Sequence, residues 1–348
     1  MKRDPLIGKI PVSLITGFLG SGKTTLIGRL LKHPAMDRVA VIINEVGEIG
    51  IDHDLVAMSS ETVSLLANGC LCCTVRTDLQ DTLRELFGDR RAGRIPDFDR
   101  VMIETTGLAD PVPVLQTLTS DTMLSAQYRI DGVVTLVDAV NALSQLDMYP
   151  QAERQVAHAD RIFITKADLS NTADMATLRL ALQSINSMAD IKTCAMGDLH
   201  PSELTGLGLA SARASENTLR FLGEHSLQAQ GGATSTYLGE RLPTRHDPAV
   251  NTVSLRFEQP FTWAAFSAAM ETMISLRGKD LLRVKGIVNV DGQPTVVQGA
   301  GHVFHPPLAL DKWPSDDRDS RLVFITRNMH AGTIYALFEA VGALRQHA

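Results

Sequence analysis

Short apolar runs and helical spacings alternate through the first 200 residues. Ile10–Thr16, Val39–Ile43, Thr62–Leu66, Arg100–Ile103, Gly132–Val137 and Arg161–Ile164 have the length and β-branched content of strands. Most of these runs are continuous rather than alternating, as in strands buried on both faces. Thr24–Lys32 reads as a helix. So does Thr77–Phe87, where leucines at 79, 83 and 86 have charges between them. The alternation predicts an α/β domain with a mainly parallel sheet, over residues 1–205. The pattern then breaks. Residues 206–249 are rich in Gly, Ser, Ala and Thr and contain Pro243 and Pro248, which marks a linker. Strand-like Asn251–Phe257, helical Thr262–Leu276, strand-like Leu281–Val290, Thr295–Gln298 and Arg321–Thr326, and a helix over His330–Gln346 follow. They predict a smaller α+β domain over 250–348, with Phe257, Phe261, Trp263 and Phe266 in its core.

Composition narrows the class. The chain has 348 residues, 44% hydrophobic and 21% charged, which excludes a disordered protein. A net charge of −6 argues against a nucleic-acid partner bound through a broad basic face. No run approaches the roughly 18 uncharged apolar residues of a membrane span. Asp4, Pro5 and Lys9 interrupt the stretch after Met1-Lys2-Arg3 that a signal peptide keeps apolar, so a cytoplasmic protein is expected. Homo-oligomerisation is left open.

Gly17-Phe18-Leu19-Gly20-Ser21-Gly22-Lys23-Thr24 matches the phosphate-binding loop G-x-x-x-x-G-K-[ST], between a strand and a helix. Gly17, Gly20 and Gly22 permit a tight turn whose N–H groups, Ser21 among them, face a polyphosphate. Lys23 is expected on the β- and γ-phosphates, Thr24 on Mg²⁺ and Thr25 on a neighbouring phosphate. Glu104 ends the apolar run from Arg100, where a carboxylate on the Mg²⁺ side belongs, and Gly107 can let backbone approach a γ-phosphate. Thr165-Lys166-Ala167-Asp168 follows a late strand. Asp168 can accept from both N–H groups on the guanine edge while the Lys166 stem covers the base, which selects GTP over ATP. The familiar form of this motif begins with Asn rather than Thr165.

Three of the four cysteines, Cys70, Cys72 and Cys73, fall within four residues, and Cys194 stands alone as a small buried residue. Clustered thiolates suit Zn²⁺ and similar soft ions. Their spacing predicts a turn. No Lys or Arg occurs between Arg38 and Arg76, while Glu45, Glu48, Asp52, Asp54 and Glu61 make the stretch acidic and attractive to cations. A redox pair and inert buried thiols are the competing readings.

GFLGSGKTT (17–25), NEVGEIGID (44–52), GCLCC (69–73), ETTGLADP (104–111), LVDA (136–139) and TKAD (165–168) together resemble the CobW-type proteins. That group of metal-handling GTPases also holds the nickel-insertion GTPases for hydrogenase and urease. LLRVKGIVNVDGQP (281–294), VVQGAGHVFH (296–305) and RLVFITRN (321–328) resemble the CobW C-terminal domain. The resemblance implies Mg²⁺-dependent GTP hydrolysis with Lys23, Thr24 and Glu104 at the phosphates. It implies a transition-metal site on Cys70, Cys72 and Cys73, and a nucleotide-sensitive loop over 44–52. In that loop Glu45 and Glu48 touch the metal or the attacking water. It also admits the Thr165 form of the base motif. The expected function is a GTP-hydrolysing metallochaperone, for zinc before cobalt, that hands its ion to a client apo-metalloprotein. A cobalt chaperone for cobalamin synthesis and a nucleotide-gated redox regulator are the alternatives. No strong nucleophile is in evidence, so slow intrinsic GTP turnover is expected.

Overall fold

The computed structural model describes residues 8–44, 64–65, 71–75, 78–208 and 250–344. The chain divides into two compact units, one of residues 1–179 and 190–208, the other of 180–189 and 209–348.

The first unit is built on a sheet of β1 (Ile10–Gly17), β2 (Val39–Asn44), β3 (Ser64–Leu65), β4 (Leu71–Val75), β5 (Arg100–Glu104), β6 (Tyr128–Asp138), β7 (Arg161–Thr165) and β8 (Asp190–Cys194). Helices α1 (Lys23–Leu30), α2 (Leu79–Arg91), α3 (Pro111–Ser120), α4 (Thr122–Gln127), α5 (Ala142–Met148), α6 (Pro150–Ala157) and α7 (Thr172–Ile185) connect them, although α7 from residue 180 on is counted in the second unit. The spatial order is β3-β4-β2-β5-β1-β6-β7-β8. Every pairing is parallel except that of β3 with β4. β1 is buried at every position but Pro11. The chain leaves β1 for β2 on one side and later places β6 on the other, so the strand order reverses at β1. A crevice opens there at the carboxyl ends of the strands, the usual place for a ligand in such sheets. Ile15, Leu26, Val41, Met102, Leu136 and Phe163 fill the core between sheet and helices.

Two departures from the sequence reading have physical causes. β6 begins at Tyr128 rather than Gly132, because Asp131 is buried within it. Arg100 and Arg129 pair with Asp131, and the Gly206 N–H donates to it at 2.9 Å. A charge so compensated can sit inside a strand. β8 (DIKTC) was not anticipated, since it is short, mostly polar and only Cys194 in it is buried.

The second unit is α+β, as expected. It holds β9 (Val250–Phe257), α8 (Trp263–Arg277), β10 (Leu281–Val290), β11 (Gln293–Ala300), β12 (Val303–Phe304), β13 (Leu308–Ala309), β14 (Ser320–Arg327) and α9 (Ala331–Leu344). The sheet is antiparallel in the order β12-β11-β10-β14-β9, with β13 added to β11. Asp291 and Gly292, with φ of 51° and 88°, form the two-residue turn between β10 and β11. The Thr262 hydroxyl caps α8 by accepting from the Ala265 N–H at 3.2 Å. Phe257, Phe261 and Phe266 are core residues; Trp263 is not, being 41% exposed. Its position in the first turn of α8 leaves it at the rim, tilted against Phe266.

Phe338 is the hub of this core and touches the rings of Phe257, Phe261, Phe266 and Phe324. Phe338→Ala is expected to cost about 3–5 kcal/mol. Urea unfolding followed by tryptophan fluorescence reads this unit alone, since both tryptophans, Trp263 and Trp313, lie in it.

Candidate nucleotide and metal site

β1 must turn from a buried strand into α1 within five residues, and the glycines make that turn. Gly17, Gly20 and Gly22 have φ of 145°, 75° and 93°. A side chain would be strained at each. At Gly17 a β-carbon would also collide with the Leu136 carbonyl oxygen. Gly22 is the N-cap of α1 and supplies no side-chain bond, and the first turn carries no acid. The N–H groups at this helix end therefore stand open, with the positive end of the helix dipole behind them. The Ser21 hydroxyl is buried and finds no hydrogen-bond partner among the described residues. Lys23 is buried, and its ammonium donates to the Gly17 and Phe18 carbonyl oxygens at 2.7 and 3.1 Å. Burial pushes its pKa below the usual lysine value, and the Glu104 carboxylate opposes that shift. Thr24 and Thr25 are exposed at the crevice end of the helix. An open helix end, an unpartnered hydroxyl and a buried cation fit a polyphosphate.

Glu104 ends β5, buried, in register with Ile15 of β1 and Ile43 of β2. Behind it the Thr105 hydroxyl donates to the Thr16 hydroxyl at 2.9 Å. Gly107 lies against the phosphate loop. A β-carbon there would come within 2.8 Å of the Leu19 nitrogen and 2.9 Å of its Cα. Lys23, Glu104 and Gly107 thus gather around one loop.

The base motif joins the same loop from the other side. The Thr165 hydroxyl donates to the Ser21 carbonyl oxygen at 2.8 Å, which ties β7 to the phosphate loop. Lys166 sits at φ 55° and donates to the Asp138 carboxylate at 2.7 Å. Asp168 is exposed in the short turn Ala167–Leu169. Sequence reasoning missed two neighbours. Asp138 is buried at the end of β6 and also accepts from the Val140 N–H and the Asn141 amide, each at 2.9 Å. Burial alone would raise its pKa, but the bonds from Lys166, Asn141 and Val140 outweigh this and hold the carboxyl below the usual range. The LVDA run was visible in the sequence; that its aspartate grips Lys166 was not. Gly197, at φ 77°, packs near α1, where a β-carbon would lie 3.2 Å from the Leu26 Cα. No sequence signal marks this loop.

The cysteine segment differs from expectation. Cys72 and Cys73 occupy strand β4 rather than a turn, paired with Val41 and Ile42 of β2. Strand pairing, which spacing alone does not reveal, decides their conformation. Cys70, Glu45 and Glu48 lie outside the described residues. Among the described residues no three His, Cys, Asp or Glu side chains cluster as metal ligands. Cys194 is buried, as expected.

Comparison with known proteins accords with this arrangement. The family model of the CobW/HypB/UreG nucleotide-binding domain matches residues 11–193, and that of the cobalamin synthesis protein CobW C-terminal domain matches 250–342. The chain belongs to the CobW/HypB/UreG family. It is similar to the zinc chaperone YjiA of Escherichia coli, with 34% identity covering 94% of this chain and 98% of that one. It is 31% identical to zinc-regulated GTPase metalloprotein activator 1 of Schizosaccharomyces pombe, over 94% of this chain and 84% of that one. The crystal structure of Zn(II)-bound YjiA GTPase superposes with a TM-score of 0.73 at 30% identity, covering 96% of this CobW-family chain and 99% of the other. No described helix is long and apolar enough to cross a membrane.

Thr165→Val keeps the side-chain shape but removes the donor to the Ser21 carbonyl. It is expected to destabilise the first unit by about 1–2 kcal/mol, measured by urea unfolding under far-UV circular dichroism.

Proposed function

We propose that this chain, a GTPase of the CobW type, couples GTP hydrolysis to the loading and release of Zn²⁺ for a client apo-metalloprotein. The observation that carries the reading is the register of β4. Thr74 pairs with Ile43, and Ile43 pairs with Glu104. The strand carrying Cys72 and Cys73 is therefore one strand removed from β5, a backbone separation of about 10 Å. A thiolate site on this strand and the triphosphate end of a nucleotide are near enough to respond to each other. A relative named as a zinc chaperone and one named as a zinc-regulated GTPase metalloprotein activator support zinc as the cargo.

In this reading GTP lies along the open end of α1. Lys23 exchanges its two loop carbonyls for β- and γ-phosphate oxygens, and Thr25 meets a neighbouring phosphate. Thr24 and Glu104 would hold Mg²⁺, which would supply positive charge against the phosphate oxygens. The backbone at Gly107 meets the γ-phosphate. Asp168 reads the guanine edge, and the Lys166 stem, held by Asp138, covers the base. Glu45 orients the attacking water, and Glu48 joins Cys70, Cys72 and Cys73 around the cargo ion; these last assignments follow the resemblance alone. Residues 1–205 form the GTPase domain and 206–249 the linker. Residues 250–348 form a domain that docks the client or tunes turnover. Catalysis here is positioning and electrostatics, so turnover is slow without a client.

A bound zinc ion does not by itself identify the site, because a Zn(II)-bound structure also exists for a YjiA variant with one glutamate and two cysteines changed to alanine. Nucleotide dependence does. Chelator competition is expected to give at least about tenfold tighter Zn²⁺ binding with a non-hydrolysable GTP analogue and Mg²⁺ than with GDP, a difference of about 1.4 kcal/mol. Cys72→Ala is expected to abolish that difference and leave GDP affinity intact, whereas Lys23→Ala weakens the nucleotide first. Equal Zn²⁺ affinity in both nucleotide states would sink the delivery reading and favour a redox role for the cysteines. Tighter Co²⁺ than Zn²⁺ binding in the triphosphate state would favour the cobalt alternative.

A further inference from the structure

Gln155 on α6 is buried, and nothing above uses it. Its amide nitrogen donates to two backbone carbonyls of the loop after β5, Gly107 at 3.1 Å and Ala109 at 3.0 Å. With two carbonyl oxygens facing it, only the NH₂ side of the amide can point that way. The Gln155 backbone carbonyl oxygen accepts from the Thr135 hydroxyl at 2.8 Å, which fixes α6 to β6. The adjacent Arg154 pairs at 3.0 Å with Asp110, the N-cap of α3. The loop from 105 to 110 is thus held from behind, while in front Gly107 presses on Leu19 of the phosphate loop. α6 touches that second loop as well, since Tyr149, its N-cap, meets the Phe18 ring with centroids 4.8 Å apart.

The amide oxygen of Gln155 is buried and finds no partner among the described residues. An apolar side chain of the same length would fill this space without that desolvation cost. What glutamine provides is the pair of donors that sets the peptide planes at Gly107 and Ala109.

We infer that Gln155 is a positioning residue for GTP hydrolysis, which holds the loop after Glu104 against the phosphate loop so that Gly107 meets the γ-phosphate in one geometry. The inference rests on the GTPase reading. Gln155 touches no nucleotide; it acts through Gly107. GDP has no γ-phosphate, so loss of this positioning shows in turnover and not in GDP binding.

Gln155→Met keeps length and volume and removes both donors. The expected result is a fall in kcat of about tenfold or more with GDP affinity close to wild type, beside a modestly lowered thermal midpoint because two carbonyl oxygens lose their donor. Gln155→Glu supplies a second test. As a carboxylate it faces two carbonyl oxygens and is expected to lose as much kcat at neutral pH. Protonation restores one O–H donor, so its kcat relative to wild type is expected to recover as pH falls. An unchanged kcat in Gln155→Met would overturn the inference. So would equal losses of kcat and GDP affinity, or a flat relative pH profile for Gln155→Glu. Failure of the underlying GTPase reading would appear instead in the wild-type chain, as GDP binding without GTP turnover.

Discussion

The open N-terminal end of α1, at the centre of a buried parallel sheet, is the constraint on which the site depends. β1 is packed on both faces, and α1 must start within five residues of its end. Only glycines can make that turn at these φ values, and glycine at the N-cap leaves the first helical N–H groups without a side-chain acceptor. A folded chain can tolerate such a helix end where an anion or water completes it. The loop's remaining groups show the same incompleteness. Ser21 has a buried hydroxyl without a partner among the described residues, and Lys23 satisfies itself on its own loop's carbonyls.

Around this end the surrounding strands also supply support. Thr165 ties β7 to the Ser21 carbonyl, Thr105 ties β5 to β1, and Thr135 ties β6 to α6. Each hydroxyl is buried and bonded, so each holds its loop without introducing charge. Two buried carboxylates act on cations here. Glu104 works against the desolvation of Lys23, and Asp138 holds Lys166. The Thr165 form of the base motif fits this division, because a short hydroxyl reaches the phosphate loop from the end of β7.

The motif residues were legible because their spacing is local. Glycines, lysine and threonine in eight consecutive residues define a turn and a helix start wherever they occur, and Glu104 and Thr165 are marked by ending apolar runs. Elements that depend on distant partners were not legible. Asp131 looks like a strand breaker until Arg100, Arg129 and the Gly206 N–H are seen around it. Cys72 and Cys73 look like a turn until β2 is laid beside them. Trp263 looks like core until the direction of α8 leaves it at the rim.

By itself, the sequence determined the glycine-rich turn after β1 and the α/β and α+β classes of its two parts. All of these follow from neighbours within a few positions, where backbone preference and hydrophobic period act directly. The tertiary structure alone decided which groups share the crevice: Gly107 against Leu19, Thr165 on Ser21, Asp138 on Lys166 and Gln155 behind the loop. These contacts join residues 28 to 144 positions apart. Parallel pairing with crossover connections brings such residues together, and a crossover leaves no periodic trace in the chain.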